Sequence, residues 1–80
     1  MKVEVRLFAT LRPYLPPGAH GDAVTLDMPA GATVGDVVEL LKIPSEVDCL
    51  TVVNGHDATP EVILAPGDEV TMFPPLAGGA

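Results

Sequence analysis

The 80-residue chain has one cysteine, no tryptophan, one serine, and four basic side chains against eleven acidic ones. Each shortage removes a class of function. The single cysteine, Cys49, cannot build an intramolecular disulfide framework, which fits a reducing cytoplasm. A formal net charge of −7 argues against nucleic acid as a partner, because phosphate binding rests largely on Lys and Arg. The same acidity suits a basic protein surface reached by electrostatic steering, and equally serves to keep a small apolar domain in solution. No run of about 18 apolar residues is present to span a bilayer, so no membrane partner is expected. Met1-Lys2-Val3-Glu4 opens a strand pattern where a signal peptide would carry an apolar stretch.

Catalytic constellations are also missing. There is no Gly-x-Gly-x-x-Gly, no phosphate-binding loop and no Cys-x-x-Cys. His20 and His56 fall in predicted loops without a second ligand at metal-binding spacing, so no metal site is expected. Ser45, the lone serine, follows the helix-ending Pro44 and offers no serine–histidine pair. Cys49 lies between Asp48 and Leu50 with no nearby cation to lower its pKa, which predicts a partly buried structural thiol.

What is present is regular patterning. Lys2 to Phe8 alternates, with Val3, Val5 and Leu7 on one face, the period of a half-buried strand. Pro13, Pro16, Pro17, Gly18 and Gly21 then predict a loop. Val24, Leu26 and Met28 mark a second strand that Pro29 and Gly31 stop. Thr33 and Asp36 form a capping-box pattern ahead of Val34, Val37, Val38 and Leu41, one face of a helix ended by Pro44. Leu50 to Val53 is a short β-branched strand, and Asn54-Gly55 a strong hairpin signal. Residues 57–65 accommodate a short strand and a turn. Pro66-Gly67-Asp68 leads into a last strand, Glu69 to Phe73, with Val70 and Met72 inward. One helix covers one face of a sheet only, so the expected class is α+β: a β-grasp, ubiquitin-like fold with a mixed sheet of four to five strands and one main helix. The chain is long enough for a single core, assigned to residues 1–75, with 76–80 as a flexible tail.

The tail is the strongest functional signal. Phe73-Pro74-Pro75-Leu76-Ala77-Gly78-Gly79 runs from the last strand into paired glycines, with Ala80 after them. Two successive positions are both glycine by chance about once in 200, so the weight lies in where this pair stands, just after a stiff Pro-Pro. Glycine has no Cβ, and such a segment threads channels that exclude side chains. A terminal carboxylate becomes reactive only after activation, for example by adenylation. The alternative is an ordinary frayed terminus. By strand parity Phe8 and Phe73 fall opposite the inward side chains on neighbouring strands, either as a docking patch near the tail or folded over a sheet edge as core.

Val5-Arg6-Leu7-Phe8-Ala9-Thr10-Leu11-Arg12, Val53-Asn54-Gly55, Pro66-Gly67-Asp68-Glu69-Val70 and the Phe-Pro-Pro…Gly-Gly tail resemble, in the same order, the small sulfur-carrier proteins of the MoaD/ThiS family. The length and the Phe-Pro-Pro are more similar to the molybdopterin-synthase small subunits than to the thiamine carriers. The resemblance implies a carrier that is itself no enzyme. An E1-like partner adenylates the Gly79 carboxylate with ATP, sulfur replaces the adenylate, and the thiocarboxylate enters a large molybdopterin synthase subunit or another sulfur-acceptor enzyme. Gly78 gives clearance in the partners' channels. Phe8, Arg12, Phe73, Pro74, Pro75, Leu76 and Ala77 form the partner-binding set, and the carrier itself holds no cofactor. The family's active form ends at the second glycine, whereas Ala80 makes the Gly79 carbonyl an amide. The implied routes are removal of Ala80 by a JAMM-type protease, as in carriers for cysteine or siderophore-type pathways; a cloning remnant; or a β-grasp interaction module with no tail chemistry.

Overall fold

The computed structural model describes residues 1–44 and 46–75. Its elements are β1 (Lys2–Leu7), a 3₁₀ helix (Ala9–Tyr14), β2 (Ala23–Asp27), α1 (Val34–Leu40), β3 (Leu50–Val53), β4 (His56–Asp57) and β5 (Glu69–Phe73). The strands form one mixed sheet in the order β2-β1-β5-β3-β4. β1 pairs antiparallel with β2 and parallel with β5, and β5 pairs antiparallel with β3. This is the expected β-grasp, with five strands.

Period-two alternation builds one side of the core. Val3, Val5 and Leu7 from β1, Val24 and Leu26 from β2, and Val70 and Met72 from β5 all point to the same face. Val34, Val37 and Leu41 of the helical segment close over them, with Ile43 and Leu64 at the margins. The polar half of the capping box is intact: the Asp36 N–H donates to Thr33 Oγ1 at 3.2 Å, and the Thr33 N–H donates to Asp36 Oδ2 at 2.9 Å. Such a cap is worth about 1 kcal/mol. Gly35 lets α1 approach Pro60 closely: a Cβ there would lie 3.3 Å from the Pro60 carbonyl oxygen, which accepts from the Gly35 N–H at 2.9 Å.

Two departures from the sequence expectation concern the helical segments. The stretch after β1, expected as a loop, contains the 3₁₀ helix. Its fixed point is Leu11, wholly buried between exposed neighbours, and its Pro13 is tolerated because proline's φ suits so short a turn. The main helix stops at Leu40, before Pro44. Lys42 takes the left-handed conformation at φ 59°. The Lys42 N–H donates to the Glu39 carbonyl, and the Ile43 N–H to the Val38 carbonyl at 3.2 Å. That is a Schellman ending, with Ile43 buried as its apolar lock. Lysine occupies the position where glycine usually announces such an ending, so Pro44 was the only visible stop.

The Asn54-Gly55 hairpin forms as expected, both residues with positive φ. Asn54 does more than turn the chain. Its amide donates to Asp68 Oδ1 at 2.9 Å and accepts from the Glu69 N–H at 2.9 Å, while Asp68 Oδ2 accepts from the Ala65 N–H. The hairpin and the turn before β5 are thereby latched together.

Candidate docking face and tail exit

Because β1 and β5 run parallel and adjacent, their C-terminal ends lie at the same end of the sheet. Residue pairing fixes what surrounds that end. Leu7 pairs with Met72, both buried, so the following residues Phe8 and Phe73 fall on the helix-free face. Phe8 stays extended, and its N–H donates to the Met72 carbonyl at 3.1 Å. The next residue, Ala9, turns sharply with φ 54°, which carries the chain away into the 3₁₀ helix. Both phenylalanines are half-buried, and the core cluster is assembled without them.

The register of β3 adds residues that sequence reading did not single out. Leu50 pairs with Phe73 and Val52 with Thr71, so both belong to the same outer face. Leu50 is 49% exposed, and Val52 is half-buried. Four apolar side chains therefore occupy neighbouring positions on the helix-free face of three adjacent strands. Leu50-Thr51-Val52-Val53 is apolar or β-branched throughout, so its own pattern does not say which residues face out. The pairing with β5 decides it.

Toward the other end of this face the surface becomes ionic. Arg6 Nε donates to Glu69 Oε2 at 3.1 Å, and its Nη atoms lie 3.7 Å from Glu4 and 3.7 Å from Asp22. The hydrogen bond to Glu69, with the field of Glu4, holds the Arg6 guanidinium above its ordinary pKa. At the apolar end Pro74 is half-buried and Pro75 exposed, directly after β5. The candidate residues Leu76, Ala77, Gly78 and Gly79, with Ala80, lie outside the described residues, as does Ser45.

Arg12 is exposed in the last turn of the 3₁₀ helix and takes part in none of the described ion pairs. It borders an open groove of about 670 Å³ that Pro13, Leu15, Pro16 and Pro17 also line. The structure thus brings Phe8 and Phe73 together at the tail exit and sets Arg12 on the adjoining 3₁₀ segment. His20 and His56 are exposed, His56 in the two-residue β4 and not in a loop. Cys49 is half-buried against the core, as expected, and that burial pushes its thiol pKa up. Among the described residues no group of three His, Cys, Asp or Glu is placed to hold a metal ion. No helix of the described residues is long and apolar enough to cross a membrane.

Residues 1–78 match the family model described as Mut7-C ubiquitin. Two solved structures combine high coverage with appreciable identity. SAMP1 from Haloferax volcanii is 30% identical, with 99% of this chain and 100% of that one covered and a TM-score of 0.76. A putative molybdopterin converting factor subunit 1 from Pyrococcus furiosus is 31% identical over 94% of this chain and 98% of that one, also at 0.76. A chain from the complex of subunits 1 and 2 of the Helicobacter pylori molybdopterin-converting factor is 20% identical, with 99% and 100% covered and a TM-score of 0.63, a likeness of fold. No curated protein matches the chain by sequence.

Proposed function

The chain belongs to the Mut7-C ubiquitin family, and on that premise we propose that it is a cytoplasmic sulfur carrier whose Gly79 is adenylated and converted to a thiocarboxylate. The observation that carries this reading is the convergence of the Phe8/Phe73 face and the exit of the Pro-Pro tail at one end of the sheet. The 31% identity to a putative molybdopterin converting factor subunit 1 makes molybdopterin the favoured destination of the sulfur.

In the proposed sequence, hydrolysis by a JAMM-type protease first removes Ala80 and frees the Gly79 carboxylate. That carboxylate attacks the α-phosphorus of ATP bound by an E1-like enzyme, and pyrophosphate leaves. The terminal sulfur of a sulfurtransferase persulfide then attacks the acyl carbon and AMP departs, and a thiol reduces the resulting acyl disulfide to release the thiocarboxylate. The loaded tail enters a large synthase subunit, where the sulfur bonds to the pterin precursor and water then cleaves the acyl–sulfur bond, leaving sulfur on the precursor and returning the Gly79 carboxylate. The chain's own residues do no bond-making beyond the terminal carboxyl group. Phe8, Leu50 and Phe73 dock, Arg12 meets an acidic partner residue, Pro74 and Pro75 hold the tail away from the sheet, and Gly78 fits a narrow channel. The catalytic groups belong to the partners.

A second reading is favoured by the 30% identity to SAMP1, of which the H. volcanii small archaeal modifier protein 1 is another solved example. The same activated Gly79 would then acylate an amine on another protein.

Intact mass of the untagged protein from its native host tests the scheme. Loss of Ala80 together with exchange of one oxygen for sulfur is the expected result, and Gly79→Ala should abolish it while leaving the thermal unfolding curve unchanged. An adduct equal to a second polypeptide would favour the modifier reading. A full-length, unmodified chain under conditions that demand the cofactor would overturn both in favour of an interaction module.

A further inference from the structure

We infer that the outer edge of β2 is a self-association site, at which a second copy of this chain adds its own β2 antiparallel. The inference goes beyond the carrier reading and stands whatever the tail does. β2 is the outermost strand on one side of the sheet, and β4, on the other, has only two residues. Along β2 the hydrogen bonds alternate. The Asp22 carbonyl accepts from the Leu7 N–H at 2.9 Å, and the Met28 N–H donates to the Met1 carbonyl at 2.7 Å, so the even-numbered residues turn their backbone groups towards β1. Those of Ala23, Thr25 and Asp27 point outward. Ala23 engages both of its groups with His20, at 2.8 and 3.1 Å. Thr25 and Asp27, both exposed, each keep an outward N–H and carbonyl that have no backbone partner among the described residues. An unpaired edge of this kind is a template for another strand.

The occupant follows from where the free edge stops. The His20–Ala23 bridge closes it at one end and Pro29, which has no N–H, at the other, leaving residues 24–28 centred on Leu26. A two-fold axis through Leu26 lays this window antiparallel on itself. Thr25 then exchanges both backbone hydrogen bonds with Asp27 of the second copy, and Asp27 does the same with its Thr25. On the helix side of the sheet Leu26 meets Leu26, and Val24 meets Met28. These inward side chains are the strand residues with surface still to cover: Val24 and Leu26 are each 9% exposed and Met28 5%, against 0–1% for Val3, Val5, Leu7, Val70 and Met72. Charge permits the contact. Asp27 is met by the N-terminal ammonium at 3.4 Å and by Lys2 Nζ at 3.6 Å, so this edge carries no negative surplus in a chain of net charge −7. A longer foreign strand would run into the His20 bridge or Pro29, whereas β2 of a second copy fits between them.

The test is sedimentation equilibrium of the full chain from about 10 μM to about 1 mM, at low salt and at about 0.5 M, since so small an interface gives a weak dimer. Expected is a monomer–dimer equilibrium that tightens with salt, because two chains of charge −7 repel each other as they approach. Amide exchange should slow with concentration at Thr25 and Asp27 and stay constant at Ala23. Thr25→Pro removes an outward N–H that β1 does not use, so it should keep the fold and abolish the dimer. Thr25→Lys stands opposite Asp27 of the second copy and should tighten the dimer about threefold. It also decides the matter if the proline variant does not fold. A chain monomeric at about 1 mM in high salt, undiminished association of Thr25→Pro, weakened association of Thr25→Lys, or loss of the dimer in Leu40→Ser on the exposed side of the helix would each overturn the inference. The carrier reading fails separately, by an intact mass without sulfur, whatever the sedimentation shows.

Discussion

Leu11 is the side chain on which the 3₁₀ segment depends, and replacing it by alanine tests whether that segment is packed structure. Leu11 is fully buried, while Ala9, Thr10, Arg12 and Pro13 around it are exposed. Deleting its isobutyl group removes buried apolar contacts and leaves a void, which costs about 2.7–5 kcal/mol in comparable core positions. The short segment has exposed neighbours that can settle inward, so the lower part of that range applies, about 3 kcal/mol. An 80-residue domain has roughly 4–12 kcal/mol in total at about 0.05–0.15 kcal/mol per residue. The substitution therefore consumes a quarter or more of the folding free energy and lowers Tm by about 12–24 °C. The chain has no tryptophan, so urea unfolding followed by far-UV circular dichroism is the assay. Leu40→Ala, at a position 53% exposed, is the control and should shift stability by less than about 0.5 kcal/mol. A Leu11→Ala loss below about 1 kcal/mol would refute the packing argument, because a buried leucine that anchors nothing is the only way to obtain it.

Three further outcomes follow from local geometry. Lys42→Gly should raise stability by about 0.5–1 kcal/mol in the same urea assay, since glycine takes φ 59° without the Cβ penalty and both carbonyls of the Schellman ending stay satisfied. Asn54→Gly should cost about 1–2 kcal/mol through the lost bonds to Asp68 and Glu69; Asn54→Ala should cost about 1 kcal/mol more, because φ 52° also strains it. If the two variants are equally stable, the turn conformation is not what restricts the position. Burial raises the Cys49 pKa, so the unfolded chain loses this proton first as pH rises, and the stability difference from Cys49→Ala should shift against wild type above pH ~8.5. Iodoacetamide labelling of folded protein at pH 8 should correspondingly be slower than in urea, and equal rates would contradict a half-buried thiol.

How much of this molecule the sequence disclosed depended on whether the signal was local. The β1 alternation, the Thr33–Asp36 box and the Asn54-Gly55 turn each rest on residues within seven positions of one another, and each formed as read. The 3₁₀ helix was hidden because prolines 13, 16 and 17 speak for a break in regular structure, while Leu11 is buried in a segment that packs near β1 and β5. The helix end was hidden by a lysine in glycine's place. Of the helix-free face, Phe8 and Phe73 were legible by parity, because each ends a run of strict alternation. Leu50 and Val52 were not, since a uniformly apolar strand has two equivalent faces until β5 chooses one. The groups around Arg6 come from β1, β5 and the residue before β2, a juxtaposition that no spacing along the chain encodes.

The parallel pairing of β1 with β5 is what turns these separate features into a site. Had the last strand run antiparallel to the first, Phe73 would leave the sheet beside Lys2, and the tail would start from the ionic end. In the parallel arrangement Val5 pairs with Val70 and Leu7 with Met72, so Phe8 and Phe73 finish level with each other. The left-handed turn at Ala9 then removes the chain after Phe8 from the face, leaving the tail after Phe73 to continue from that end. On the proposed carrier reading, a partner that recognises Phe8, Leu50 and Phe73 lies close to Pro74 and Pro75, where the described chain leaves β5. On that reading, strand direction couples docking to delivery, and the turn at Ala9 gives that residue a role its small side chain does not suggest. A β-branched residue at φ 54° would resist the turn and pull Phe8 from its hydrogen bond to Met72, which the carrier reading expects to weaken partner binding.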